Sequence, residues 1–134
     1  MAPDEGNMYV LGKVGSPELK ERFLNELVAG RARSAFFMTE PAVEGGAGSD
    51  PSMMKTTCNL DGNHWVINGR KIWVSRVPYA DFIIVMARTG DGKRQDGVTA
   101  FIVEKGAKGF IIEREIQMIG GQRTYELVFE DCRV

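Results

Sequence analysis

From residue 34 onward the chain is a succession of short apolar runs, each closed by Gly, Asp or Asn, and that rhythm leaves few folds open. Runs at 34–39, 53–60, 64–67, 70–74, 81–88, 98–103, 111–117 and 125–129 are rich in the β-branched and aromatic side chains that favour strands. No helical period alternates with them, so the expected fold is mainly β, an antiparallel barrel or sandwich rather than a parallel sheet. Asp61-Gly62 and Asn68-Gly69 predict two-residue hairpin turns, because those residues tolerate the positive φ a tight hairpin needs. On that reading 53–60, 64–67 and 70–74 form an antiparallel meander, and the polar run 90–97 is an exposed connection between two later strands.

One α-helix precedes the strands, predicted over 17–29. Ser16 can cap it, Pro17 suits its first position, and Gly30 can end it in a left-handed turn. Leu19, Phe23, Leu24, Leu27 and Val28 recur with helical period and form one apolar stripe. No other helix is evident, so that stripe packs on the strands or on partners outside this sequence.

Composition sets the function classes aside. With 134 residues the chain suits one compact domain, and 43% hydrophobic against 26% charged residues is ordinary globular usage. Seventeen Lys and Arg against 18 Asp and Glu, a net charge of −1, give no electrostatic case for nucleic acid or an anionic membrane. Cys58 and Cys132 lie far apart, in no zinc-ligand spacing, which suggests a reduced compartment. No apolar run is long enough to span a bilayer, and Met1–Gly6 has neither the basic segment nor the apolar core of a secretory signal. Two acids and no arginine there also argue against a mitochondrial transit peptide, so the cytoplasm is the expected location.

Most candidate chemistry reads plainly. The loop Glu44-Gly45-Gly46-Ala47-Gly48-Ser49-Asp50 lacks the Gly-Lys-Ser/Thr of a P-loop and the Rossmann spacing, and alone it reads as a surface loop. His64, the only histidine, reads as an exposed strand-end residue with no triad partner in view. No pair of acids has a spacing that demands acid–base roles, and no metal ligand set is present. Met53, Met54 and Met118 read as core filler. Strand alternation places Lys71 and Trp73 on one face with Arg70 on the other, giving Lys71 the look of a snorkelling surface lysine. Trp65 and Trp73 fit either ordinary core packing or a flat plate for a heteroaromatic ring, with Ser75 and backbone N–H groups at the rim of the latter.

Three segments in order decide between those alternatives. Phe36-Phe37-Met38-Thr39-Glu40-Pro41, then Gly48-Ser49-Asp50, then Trp65 through Ser75 with its Asn68-Gly69-Arg70-Lys71-Ile72-Trp73-Val74-Ser75 core, together resemble the acyl-CoA dehydrogenase family. Residues 120–134 resemble a terminal strand of its β-barrel middle domain, and residues 15–30 look like the last helix of its N-terminal domain. The resemblance implies two parts, 1–33 as the end of the helical domain and 34–134 as the β-barrel middle domain. It departs from the family in two places: the link Ala42-Val43-Glu44-Gly45-Gly46-Ala47 is longer than usual, and Arg76-Val77-Pro78 replaces small residues.

What the resemblance implies is a segment of an FAD-dependent oxidoreductase that forms an α,β double bond in acyl-CoA thioesters. Phe36, Met38 and Thr39 would line the flavin's pyrimidine side, Trp73 would pack on the ring, Ser75 would face its hydride-accepting nitrogen, and Val74 between them would also be cofactor-binding. Gly48 and Ser49 would lie in the loop shared with the CoA portion, Ser49 touching substrate. The catalytic base has no counterpart in the sequence, so the segment alone is expected to be inactive. An electron-transfer flavoprotein would be the electron acceptor, and the full-length protein a homo-oligomer. The competing class is a non-catalytic β-barrel module that binds a ligand or a protein through the same face.

Overall fold

The computed structural model describes residues 3–90 and 96–134, so residues 91–95 of the expected polar connection lie outside the described residues. Seven strands form one curled sheet: β1 (Ser34–Phe37), β2 (Thr57–Asp61), β3 (His64–Ser75), β4 (Phe82–Arg88), β5 (Val98–Glu104), β6 (Phe110–Gln117) and β7 (Arg123–Arg133). The mainly-β expectation holds, but the sheet is mixed rather than antiparallel. One edge of β4 pairs antiparallel with β5, while its other edge meets β1 and then the start of β2, both parallel. β2–β3, β3–β7 and β6–β7 are antiparallel. Local turn signals report only neighbouring strands. The parallel β1–β4 pair is joined through the β2–β3 excursion, which takes the place of the helix a parallel crossover usually has.

The predicted three-strand meander is two strands. β2 and β3 pair from Asp61↔His64 to Thr57↔Asn68, so the hairpin loop is Gly62-Asn63, one residue beyond the predicted turn. Asn68-Gly69 is no turn at all, and β3 runs through it. There β7 carries an extra residue against β3, with Asp131 at φ 47°; the Asn68 amide donates to Asp131 Oδ1 (3.1 Å) and its carbonyl oxygen accepts the Asp131 N–H (2.9 Å). Gly69 is required by close approach: a Cβ would stand 2.7 Å from Thr56 Cα. The predicted strand start at 53 also moves, since Pro51–Met53 is a 3₁₀ turn capped by Asp50. Met54 is buried, but Met53 and Met118 are 56% and 42% exposed, so only one of the three methionines fills the core.

Helices cover part of the sheet's outer face. The predicted helix is present as α2 (Pro17–Leu19), a π-helical turn Lys20–Leu24 and α3 (Asn25–Val28), with Ser16 Oγ accepting the Leu19 N–H and Gly30 at φ 70°. Val28, expected in its apolar stripe, is 68% exposed. A second helix, α1 (Asp4–Val14), went unpredicted because Gly6 and Gly12 interrupt its apolar pattern and its anchors are polar. Asp4 Oδ1 accepts both the N–H and the hydroxyl of Ser34 (2.7 Å each), and Asn7 donates to Ser34 Oγ and Ala35 O. Alternation then divides the sheet into two cores: Ala35, Phe37, Ile83, Val85 and Ala87 face inward with Leu127 and Phe129, whereas Phe82 and Ile84 meet Leu11, Phe23 and Leu27 of the helices. Burial on both faces explains why β4 is apolar almost throughout.

Candidate functional site

Charge ties the end of β1 to the second half of β3. Lys71 is wholly buried, which overturns its reading as a surface lysine, and its ammonium donates to Met38 O (3.0 Å) and Glu40 Oε1 (3.1 Å). Glu40 Oε1 also accepts the Thr56 N–H and Oε2 the Lys55 N–H, each at 2.8 Å, so every partner of this carboxylate is a donor. Burial pushes the Glu40 carboxyl up, yet the hydrogen bonds from Thr56 and Lys55 together with the Lys71 charge outweigh it and hold it below its ordinary value. Burial draws the Lys71 ammonium down to about 8, against the pull of Glu40. Main-chain bonds continue the connection: Ile72 N–H donates to Thr39 O (3.0 Å), and Glu40 N–H to Gly48 O (3.0 Å).

Beside this pair β3 breaks its alternation. Between Lys71↔Leu127 and Val74↔Tyr125 it carries one extra residue, and Trp73 takes a left-handed backbone at φ 61°. The bulge turns Trp73 outward, 53% exposed, while Lys71, Ile72 and Val74 are buried; Lys71 and Trp73 therefore do not share a face as predicted. A tryptophan held in the left-handed region is strained by about 1–3 kcal/mol, the kind of strain that collects at functional sites. Ser75 closes the strand, exposed. Arg76 follows at φ 64° with its guanidinium 3.7 Å from Asp4 Oδ2, which ties the strand end to α1.

The long link after Pro41 is compact. Val43–Gly45 makes a 3₁₀ turn, and Gly46 passes so near Pro41 that a Cβ would overlap the Pro41 carbonyl. Gly48 at φ 59° then turns the chain to present Ser49, which is exposed. This link walls a cleft of about 340 Å³ together with Lys55, Thr56 and Arg70. A larger, mostly apolar cavity of about 590 Å³ lies elsewhere, between the turn Val77–Tyr79 and strands β4–β6.

Of the residues singled out in the sequence, Met38 and Thr39 are tied to β3 next to Trp73 by the Lys71–Met38 and Ile72–Thr39 bonds, Ser75 follows Trp73 by two residues, and Gly48, with Ser49 after it, joins through the Glu40–Gly48 bond. The Met38 N–H, the Thr39 N–H and the Thr39 hydroxyl have no hydrogen-bond partner among the described residues. Phe36 packs its ring against the helical cluster and Val74 sits in the sheet core, so at this rim each can offer main chain only. Trp65 packs on Phe101 with ring centroids 5.4 Å apart, an ordinary contact, and His64 is exposed. Sequence reasoning missed Glu40 and Lys71. The available signal was a lysine inside an apolar run, Lys71-Ile72-Trp73-Val74, matched by an acid just before Pro41. No group of three or more potential metal ligands occurs among the described residues, and no helix there is long and apolar enough to cross a membrane.

The fold is thus a curled β-sheet whose longest strand, β3, bulges to expose an indole beside unpartnered backbone donors. The sequence profile described as "Acyl-CoA dehydrogenase, middle domain" matches residues 35–132, and the chain belongs to the acyl-CoA dehydrogenase family. It is 41% identical to the mitochondrial isovaleryl-CoA dehydrogenase of Pongo abelii over 124 residues, 90% of this chain and 28% of that protein. Butyryl-CoA dehydrogenase from Megasphaera elsdenii superposes with a TM-score of 0.86 at 35% identity, over 95% of this chain and 33% of that one. A glutaryl-CoA dehydrogenase from Mycobacterium smegmatis, solved in complex with FADH2, gives 0.79 at 33% identity, over 96% and 31%. The chain thus spans about a third of the length of the relatives it matches.

Proposed function

We propose that this chain supplies the flavin-holding and CoA-contacting β-portion of an FAD-dependent acyl-CoA dehydrogenase, an oxidoreductase that introduces an α,β double bond into acyl-CoA thioesters. The observation that carries the reading is the rim where the end of β1 meets the second half of β3: an indole turned outward on a strained bulge, linked by the Ile72–Thr39 hydrogen bond to an edge of unpartnered donors. These residues fit a flavin. The amides of Met38 and Thr39 and the Thr39 hydroxyl suit its pyrimidine side, where negative charge gathers on reduction, and the Trp73 face suits its flat ring. Ser75, exposed two residues on, supplies a hydroxyl and an N–H; Phe36 and Val74 contribute backbone. When bound, FAD supplies the hydride acceptor. The chain's own work is to orient that group and supply donors to it, while Gly48 and Ser49 offer backbone and hydroxyl contacts to cofactor and CoA.

The proposal assigns residues 1–33 to the end of a helical domain and 34–134 to the middle domain, which the match over 35–132 supports. It places the α-proton-abstracting base outside these residues, gives the electrons to an electron-transfer flavoprotein, and makes the whole enzyme a homo-oligomer. A cytoplasmic location accords with Cys58 and Cys132 being free and buried. Anaerobic addition of acyl-CoAs of graded length to the full-length, FAD-loaded protein tests the reading. The visible flavin band should bleach with at least one of them. A full-length protein that stays colourless in saturating FAD contradicts it and favours the non-catalytic binding module.

A further inference from the structure

We infer that Lys71 is a positioning residue for the flavin, acting through the peptide that joins Met38 to Thr39. The inference rests on the flavin reading above. The Lys71 ammonium donates to Met38 O at 3.0 Å, and the N–H on the other side of that same peptide unit is Thr39's, which has no partner among the described residues. A cation on a carbonyl oxygen draws electron density from the amide and makes its N–H a stronger donor, an effect that low local dielectric enlarges. Structural need alone does not account for a lysine here. A buried ion pair is often no more stabilising than apolar side chains of the same volume, and Lys71 has no exposed surface. Glu40 holds the ammonium in place at 3.1 Å and tempers its field. Lys71 therefore favours the reduced, more negative flavin over the oxidised one, and Glu40 moderates that preference.

The test measures flavin affinity and midpoint potential in the full-length protein, by FAD titration and by reductive titration against a redox dye. The double variant Lys71→Met/Glu40→Gln removes both charges while keeping one side-chain acceptor, for the Lys55 or the Thr56 N–H, so it is the variant expected to fold. Its affinity for reduced relative to oxidised flavin should drop about tenfold, a potential lower by about 30 mV for a two-electron couple. Glu40→Gln alone leaves the ammonium on Met38 O and should move the potential to or above the wild-type value. A purely structural role moves neither potential, or moves both downward together. A flavin-loaded wild type whose potential the double variant leaves unchanged overturns this inference alone. A wild type that binds no flavin overturns the flavin reading and this inference with it.

Discussion

The two halves of β3 obey different rules. From His64 to Asn68 β3 itself is regular: each residue pairs with its β2 partner, and the extra residue opposite Asn68 lies in β7. From Lys71 to Ser75 a charge is buried, an indole is turned out on a left-handed backbone, and β3 rather than β7 carries the extra residue. The first half is shaped by folding alone. The second keeps backbone strain and a buried ion pair, and it is the half bonded to Met38 and Thr39, whose N–H groups are unpartnered among the described residues.

The largest expected effect is at the buried pair. Glu40→Ala strands the Lys71 charge and two backbone N–H groups, and should cost about 3–5 kcal/mol in urea denaturation. The same carboxylate fixes an acid limb. Because its folded pKa lies below the ordinary value of 4.5, its contribution is complete above that value and is lost as pH falls through the lower folded one. Glu40→Gln should flatten that part of the stability curve. Lys71 acts in the same direction at higher pH: drawn down from 10.5 to about 8, it binds its proton more weakly folded than unfolded, so stability rises with pH between those values.

Next comes the junction between the halves. Gly69→Ala, with Thr56 Cα 2.7 Å from the new Cβ, should cost about 2–3 kcal/mol. Gly62→Ala in the hairpin has open space and only its φ of 61° to strain it, and should cost about 1 kcal/mol. A third comparison isolates the strain at Trp73. There Gly should be more stable than Ala by about 1 kcal/mol, because Gly adopts the left-handed region freely. At Val66 in the regular half the order should reverse by about as much. Equal ordering at both positions breaks the contrast. The smallest effect on stability belongs to Ser75→Ala, within about 0.5 kcal/mol for an exposed side chain, together with slower flavin reduction in stopped flow.

What could be read beforehand divides along the same line. The helix over 17–28 was legible because its cap, its first-turn proline and its terminal glycine act locally, as were the strands themselves from their composition. Asn68-Gly69 carried a true signal with the wrong meaning: the amide stitches the β7 bulge and the glycine admits Thr56, both long-range facts that no dipeptide records. The parallel β1–β4 pairing was hidden for the same reason. The burial of Lys71 was missed because alternation assumes an unbroken pleat, and the bulge at Trp73 breaks it. The motif around Thr39, Ser49 and Trp73 pointed to the rim through family resemblance, whereas composition and periodicity left it undistinguished.

The most direct measurement titrates FAD into the full-length protein and into its Trp73→Ala variant, following quenching of flavin fluorescence. Trp73 half exposed at the rim should quench the bound ring, and its removal should weaken binding at least about tenfold and restore much of the emission. Superimposable isotherms with equal quenching would mean that the flavin does not meet this indole, and the site described where the end of β1 meets the second half of β3 would be contradicted.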